Sequence, residues 1–100
     1  MKHYAICELK NGTYECIYVL PRNVDIKYKE MVINVIDQLK RDNETRKEEY
    51  KIIKFVDLVE HGNGFSVFDH YKWCEQRCEE AKTATFPIYD FKHPENGIQI

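Results

Sequence analysis

Long apolar runs, a surplus of one charge and glycine-rich stretches are all missing from this sequence, and each absence closes off a class of function. No run approaches the roughly 18 apolar residues that a membrane-spanning helix needs. The opening MKHYAICELKNG holds only a broken apolar stretch, short of the hydrophobic region of a secretory leader. The expectation is therefore a cytoplasmic chain whose thiols stay reduced. Fifteen basic residues against seventeen acidic ones leave a net charge of −2. No global positive field exists to hold phosphate backbones, so nucleic-acid partners are disfavoured. Alanine is scarce at three residues and arginine at four, against eleven lysines and ten isoleucines. That bias matches an A/T-rich coding sequence, as in a bacterium of low G+C content or one of its phages. Repeats, linkers and low-complexity segments are absent as well. With 43% hydrophobic and 32% charged residues, one hundred residues make a single domain that buries a core of its own.

What is present reads as an α+β fold. Asn11-Gly12 lies between two β-rich runs, the strongest short-range sign of a hairpin with a two-residue type I′ turn. That turn pairs residues 3–10 with 13–20. It sets Cys7 opposite Cys16, Leu9 opposite Tyr14 and Ala5 opposite Tyr18 on the face expected to be buried. Glu8 then faces Glu15, which marks the turn end of the other face as wet. Pro21 ends the hairpin. Over residues 27–41, Tyr28, Met31, Val32, Val35, Ile36 and Leu39 follow the i, i+3, i+4, i+7 spacing of an amphipathic helix, and Asp42-Asn43 is expected to stop it.

The next segment, YKIIKFVDLV at 50–59, carries two conflicting signals. Polar residues recur at Lys51, Lys54, Asp57 and Glu60, a period of three that favours a helix, whereas most of the segment is β-branched or aromatic. It is read as a strand, with a helix as the alternative. Ser66 and Asp69 then form a capping box for a helix over 67–82, whose expected buried stripe is Val67, Tyr71, Cys74, Cys78 and Ala81. The tail holds a short strand near 86–91, confined by Pro87 to a sheet edge, or else residues 86–100 extend as an arm. The expected architecture is a two-layer α+β domain: hairpin, helix, third strand, second helix and C-terminal edge strand.

Chemistry is sparse. Cys7, Cys16, Cys74 and Cys78 read first as small core residues. A four-cysteine zinc site is the remote alternative, because one pair spans a hairpin and the other a helical turn, not two tight knuckles. A redox pair is the third reading. His3, His61, His70 and His93 lack metal spacing, although His70 stands one helical turn before Cys74. His61, Asn63, Gly64, Phe65 and Ser66, running into a helix N-terminus, form a candidate anion site. The stretch lacks the third glycine of a dinucleotide fingerprint and the lysine of a P-loop, so a plain turn is the simpler reading. No nucleophile–base set or carboxylate pair stands out, so no catalytic residue, cofactor or enzymatic activity is expected.

The remaining signal is a surface. Trp73 falls off the expected stripe beside Arg77, a pair of residue types enriched at interface hot spots. Phe86, Ile88, Tyr89 and Phe91 give the tail an aromatic, partner-seeking character. The leading expectation is a protein-binding accessory protein, an inhibitor or adaptor acting stoichiometrically, with self-association a further route. The alternatives are a nucleotide or phosphate binder at 62–66 and a zinc-stabilised domain.

Overall fold

The computed structural model describes residues 1–20, 25–84 and 86–100; the expected terminator Pro21 lies outside them. Strands β1 (Lys2–Leu9), β2 (Tyr14–Val19), β3 (Ile52–His61) and β4 (Tyr89–Asp90) form one antiparallel sheet in the order β2-β1-β3-β4. Helix α1 (Tyr28–Thr45) precedes β3 and helix α2 (Val67–Ala81) follows it. Elements and order agree with the sequence reading, and the 50–59 segment is a strand.

The hairpin turn departs from expectation by one residue. Gly12 N–H donates to the Leu9 carbonyl at 2.9 Å and Leu9 N–H donates to the Thr13 carbonyl at 2.8 Å, so Lys10, Asn11 and Gly12 form a three-residue loop. Gly12 alone takes positive φ, at +88°, while the Asn11 side chain accepts from the Thr13 N–H at 3.0 Å and hydroxyl at 2.7 Å. A two-residue I′ turn would have forced Asn11 into positive φ as well; the three-residue loop asks this only of glycine. A slip of one residue turns a strand over. Cys7 therefore faces Glu15, Cys16 faces Ile6, and the two cysteines lie on opposite faces of the sheet.

Strand β3 explains its own ambiguous pattern. Ile52, Phe55 and Leu58, spaced by three, pair with Leu9, Cys7 and Ala5, spaced by two. Register shifts between Ile6 and Cys7 and between Glu8 and Leu9 leave Val56 and Ile53 as extra residues on β3. Each bulge resets the in–out alternation. The period of three is a strand bulged twice, not a helix.

Helix α1 lays Val32, Val35, Ile36 and Leu39 onto the face that carries Ala5, Cys7, Leu9 and Phe55, and buries Met31 as well. It runs to Thr45, past the expected stop at Asp42-Asn43, because tertiary partners take up those side chains. The Asn43 amide pairs with Ile52 like a strand neighbour, accepting from its N–H at 2.8 Å and donating to its carbonyl at 3.2 Å. Lys51 Nζ donates to the Asn43 carbonyl. Arg46 binds Asp42 at 2.5 Å and Glu15 of β2 at 2.8 Å.

Helix α2 covers the opposite face, where Ile6 and Val56 meet Ala81 and Cys78. The sheet is thus the middle of three layers, which corrects the two-layer expectation. The tail docks instead of extending as an arm. Tyr89 and Asp90 pair with Phe55 and Lys54, and Gln99 N–H donates back to the Ile88 carbonyl at 2.8 Å. Ile88 and Tyr89 are buried in the α1-side core. Among the described residues no helix is long and apolar enough to cross a membrane.

Candidate functional site

The face under α2 gathers most of the residues with chemical potential. The helix begins as its sequence requires: the Ser66 hydroxyl oxygen accepts from the Asp69 N–H at 3.1 Å, and the hydroxyl donates to the Asp69 carboxylate at 2.9 Å. From there the helix is rotated away from the expected stripe. Val67 and Tyr71 are exposed, while His70, Trp73, Cys74, Arg77, Cys78 and Ala81 turn inward at helical spacing. Trp73 is the reason. Its ring lies flat on His61 (centroids 4.2 Å apart, 9° between planes) and edge-on to Tyr4 at 5.5 Å. An indole covers more apolar surface than a valine, so the stripe containing it wins the sheet. Trp73 and Arg77 therefore face the sheet, not an off-stripe surface; the Arg77 guanidinium sits 5.8 Å from the Trp73 ring centre.

His61 is held between two rings, Trp73 on one side and Phe65 at 4.3 Å on the other. It is 5% exposed and its Nε2 has no hydrogen-bond partner. Burial foremost, then the neighbouring His70 and Lys2, pushes its pKa down. Burial likewise pushes the Tyr4 phenol up.

Two concavities flank this cluster. The larger, about 820 Å³, runs between α2 and the edge strand β2 and is lined by Tyr14, Cys16, His70, Tyr71, Cys74 and Cys78 among others. Cys16 and Cys78 pack against the core under α2, in line with the core reading, but with Cys74 they also open, half-buried and reduced, onto this groove. Cys74 Sγ lies 3.5 Å from His70 Nε2. Cys16, on β2, and Cys74, on α2, line the same groove from its two walls. Burial pushes the Cys16 and Cys78 thiols up. Cys7, fully buried on the α1 side, is separated from them by the sheet, so four sulfurs cannot share one zinc ion. Among the described residues no group of three or more His, Cys, Asp or Glu side chains is arranged to hold a metal.

The smaller concavity, about 400 Å³, sits at the head of α2 and brings the 62–66 segment together with His61, His70 and Lys2. Asn63, Gly64, Phe65 and Ser66 are exposed there. The expected partner-binding residues are dispersed. Phe86 is exposed, Ile88 and Tyr89 are core, and Phe91 is half-buried against Tyr89 at 4.9 Å. Reasoning from sequence passed over Val67 and Phe68 as surface residues and Lys2 and Tyr4 as site residues. The strand residues carry no local signal that α2 will fold over them. Comparison with family models, with curated proteins and with solved structures finds no match to this chain.

Proposed function

We propose that this protein works by stoichiometric contact with a protein partner, as an inhibitor or adaptor, through the outer surface of the first turns of α2. One observation carries the reading. Phe65, Val67, Phe68 and Tyr71 are 57%, 88%, 65% and 64% exposed within seven consecutive residues. The helix could have buried Val67 and Tyr71 and instead spends its inward face on rings, thiols and Arg77. Clustered apolar side chains left in water, with a polar rim, mark a surface that a partner covers. Lys72 supplies part of that rim, its ammonium 4.5 Å from the Phe68 ring centre. Each such side chain gains about 1.5–3 kcal/mol when fully covered.

The test is affinity capture from the source cells with the wild-type chain and with Val67→Asp/Phe68→Asp as bait. The expected result is one partner retained at near-equal stoichiometry by the wild type and lost by the variant, at equal melting temperatures. A second copy of this chain, read by native mass spectrometry, counts as such a partner. Equal capture by both baits, or no stoichiometric partner for either, overturns the reading.

A second reading rests on the pocket at the head of α2, where Lys2, the unpartnered His61 and His70 surround a helix N-terminus. It takes a phosphate-bearing small ligand. A rise in melting temperature with inorganic phosphate or a nucleoside diphosphate, absent in Lys2→Glu, supports it; no shift in the wild type removes it.

A further inference from the structure

The cysteine groove has a chemistry of its own and shares Tyr71 with the proposed protein-binding surface. Cys74 is the groove thiol with a basic nitrogen beside it, His70 Nε2 at 3.5 Å. That imidazole is fixed from behind, 5.1 Å from the Tyr4 ring, 5.2 Å from His61 and 6.0 Å from Trp73, centre to centre. Across the groove, Cys16 on β2 lines the wall facing α2. Cys78, on the same helix one turn from Cys74, lines the groove as well, and Cys7 is sealed behind the sheet. A thiol with a base, a second thiol on the opposite wall and an open, partly apolar groove are the parts a thiol–disulfide exchange site requires.

We propose that Cys74 and Cys16 form a dithiol–disulfide couple that exchanges with small disulfides entering the groove, Cys74 attacking first and Cys16 resolving. In the first step His70 takes the Cys74 proton and the thiolate attacks one sulfur of the small disulfide R–S–S–R. The Cys74–S–S–R bond forms, the R–S–S–R bond breaks, and the departing thiolate leaves as R–SH with the proton from His70. In the second step Cys16, losing its proton to His70, attacks the Cys74 sulfur. The Cys16–Cys74 bond forms, a second R–SH leaves with that proton, and the small disulfide has been reduced by two electrons as the protein dithiol is oxidised. Burial first, and then the neighbouring Cys74, pushes the pKa of the Cys16 thiol up, which suits it to the second step. Because Ala81 is the buried anchor of α2, the new bond staples that helix to the edge strand.

The probe is oxidised glutathione, applied to the whole native chain, with acid quench, alkylation and peptide mapping. The wild type is expected to lose two hydrogen masses and yield a Cys16–Cys74 peptide pair, with Cys7 and Cys78 alkylated as free thiols. Its melting temperature should rise by several degrees and return on reduction. Cys16→Ser should stop at a single glutathione adduct on Cys74, and Cys74→Ser should leave Cys16 unmodified. His70→Asn should shift the pH–rate curve of the first step to higher pH without changing the melting temperature of the reduced protein. In denaturant all four thiols should react alike, which ties the selectivity to the fold. First reaction at Cys78 or Cys16, a bridge other than Cys16–Cys74, or four free thiols after an exposure that oxidises the denatured chain overturns the proposal.

Discussion

The two faces of the sheet are finished in opposite ways. On one, α1 contributes four buried aliphatic side chains that pack with Ala5, Cys7, Leu9 and Phe55, and the docked tail adds Ile88 and Tyr89. On the other, α2 buries Ala81 alone and rests on a tier of partly covered rings, thiols and a guanidinium beside an 820 Å³ groove. The contrast separates the jobs: the α1 face holds the fold, and the α2 face keeps titratable and nucleophilic groups within reach of solvent. Helical stability in proteins comes mainly from the packing of an amphipathic face, so α2 is the element able to move or be stapled at small cost.

The largest test of this division sets Phe55→Ala against Trp73→Ala. Phe55 is fully buried, and its truncation should cost about 3–5 kcal/mol in urea unfolding. Trp73 is the larger side chain but half-buried, and its loss should cost about 1–2 kcal/mol. Equal costs would make the α2 face a second core and end the comparison. Next, Asn43→Ala should cost about 1–3 kcal/mol, because it strips partners from both the N–H and the carbonyl of Ile52. Hydrogen exchange should then quicken at Ile52 and leave α2 unchanged.

Ser66→Ala should cost about 1 kcal/mol by removing the N-cap. Its signature is faster exchange in the first turn of α2 with α1 untouched; a loss spread over both helices would show that the two faces are coupled. The smallest effect is a pH slope. The folded-state pKa of His61 lies below its ordinary value of about 6.5. The unfolded chain therefore takes up a proton that the folded one refuses, and stability falls as pH drops below about 6.5. His61→Phe should flatten that part of the melting-temperature curve without lowering it near neutrality, since the change also removes a buried Nε2 that has no partner. Parallel curves for wild type and variant would show that His61 does not titrate as its burial requires.

The legible and illegible parts of the sequence divide along the same line. The α1 stripe could be read directly, because Val32, Val35, Ile36 and Leu39 meet one continuous apolar surface and nothing competes with them. The Ser66–Asp69 cap could be read because it is closed within four residues. The α2 stripe holds at Cys74, Cys78 and Ala81 and fails at its N-terminal end, where hydrophobicity chooses Val67 and Tyr71 but ring-on-ring contact with Tyr4 and His61 chooses Trp73. The site was accordingly half visible. His70 and Cys74 stand one helical turn apart in the sequence, but Cys16 joins them only through the one-residue shift of register that the three-residue hairpin loop makes and only through the packing of α2 on that face.

By itself, then, the sequence determined which segments are strands and helices, where the hairpin turns, how α2 starts and which side of α1 is apolar. These follow from spacing and backbone chemistry over a few residues. The tertiary structure alone decided that Cys7 and Cys16 part company, that β3 bulges twice, that the tail docks and that α2 shows Phe68 and Val67 to water. The reason is that strand faces alternate every residue and helix stripes lie about 100° apart per residue. A one-residue choice in a turn, or one large ring preferring a distant partner, turns a whole surface over, and only contacts between remote segments weigh that choice.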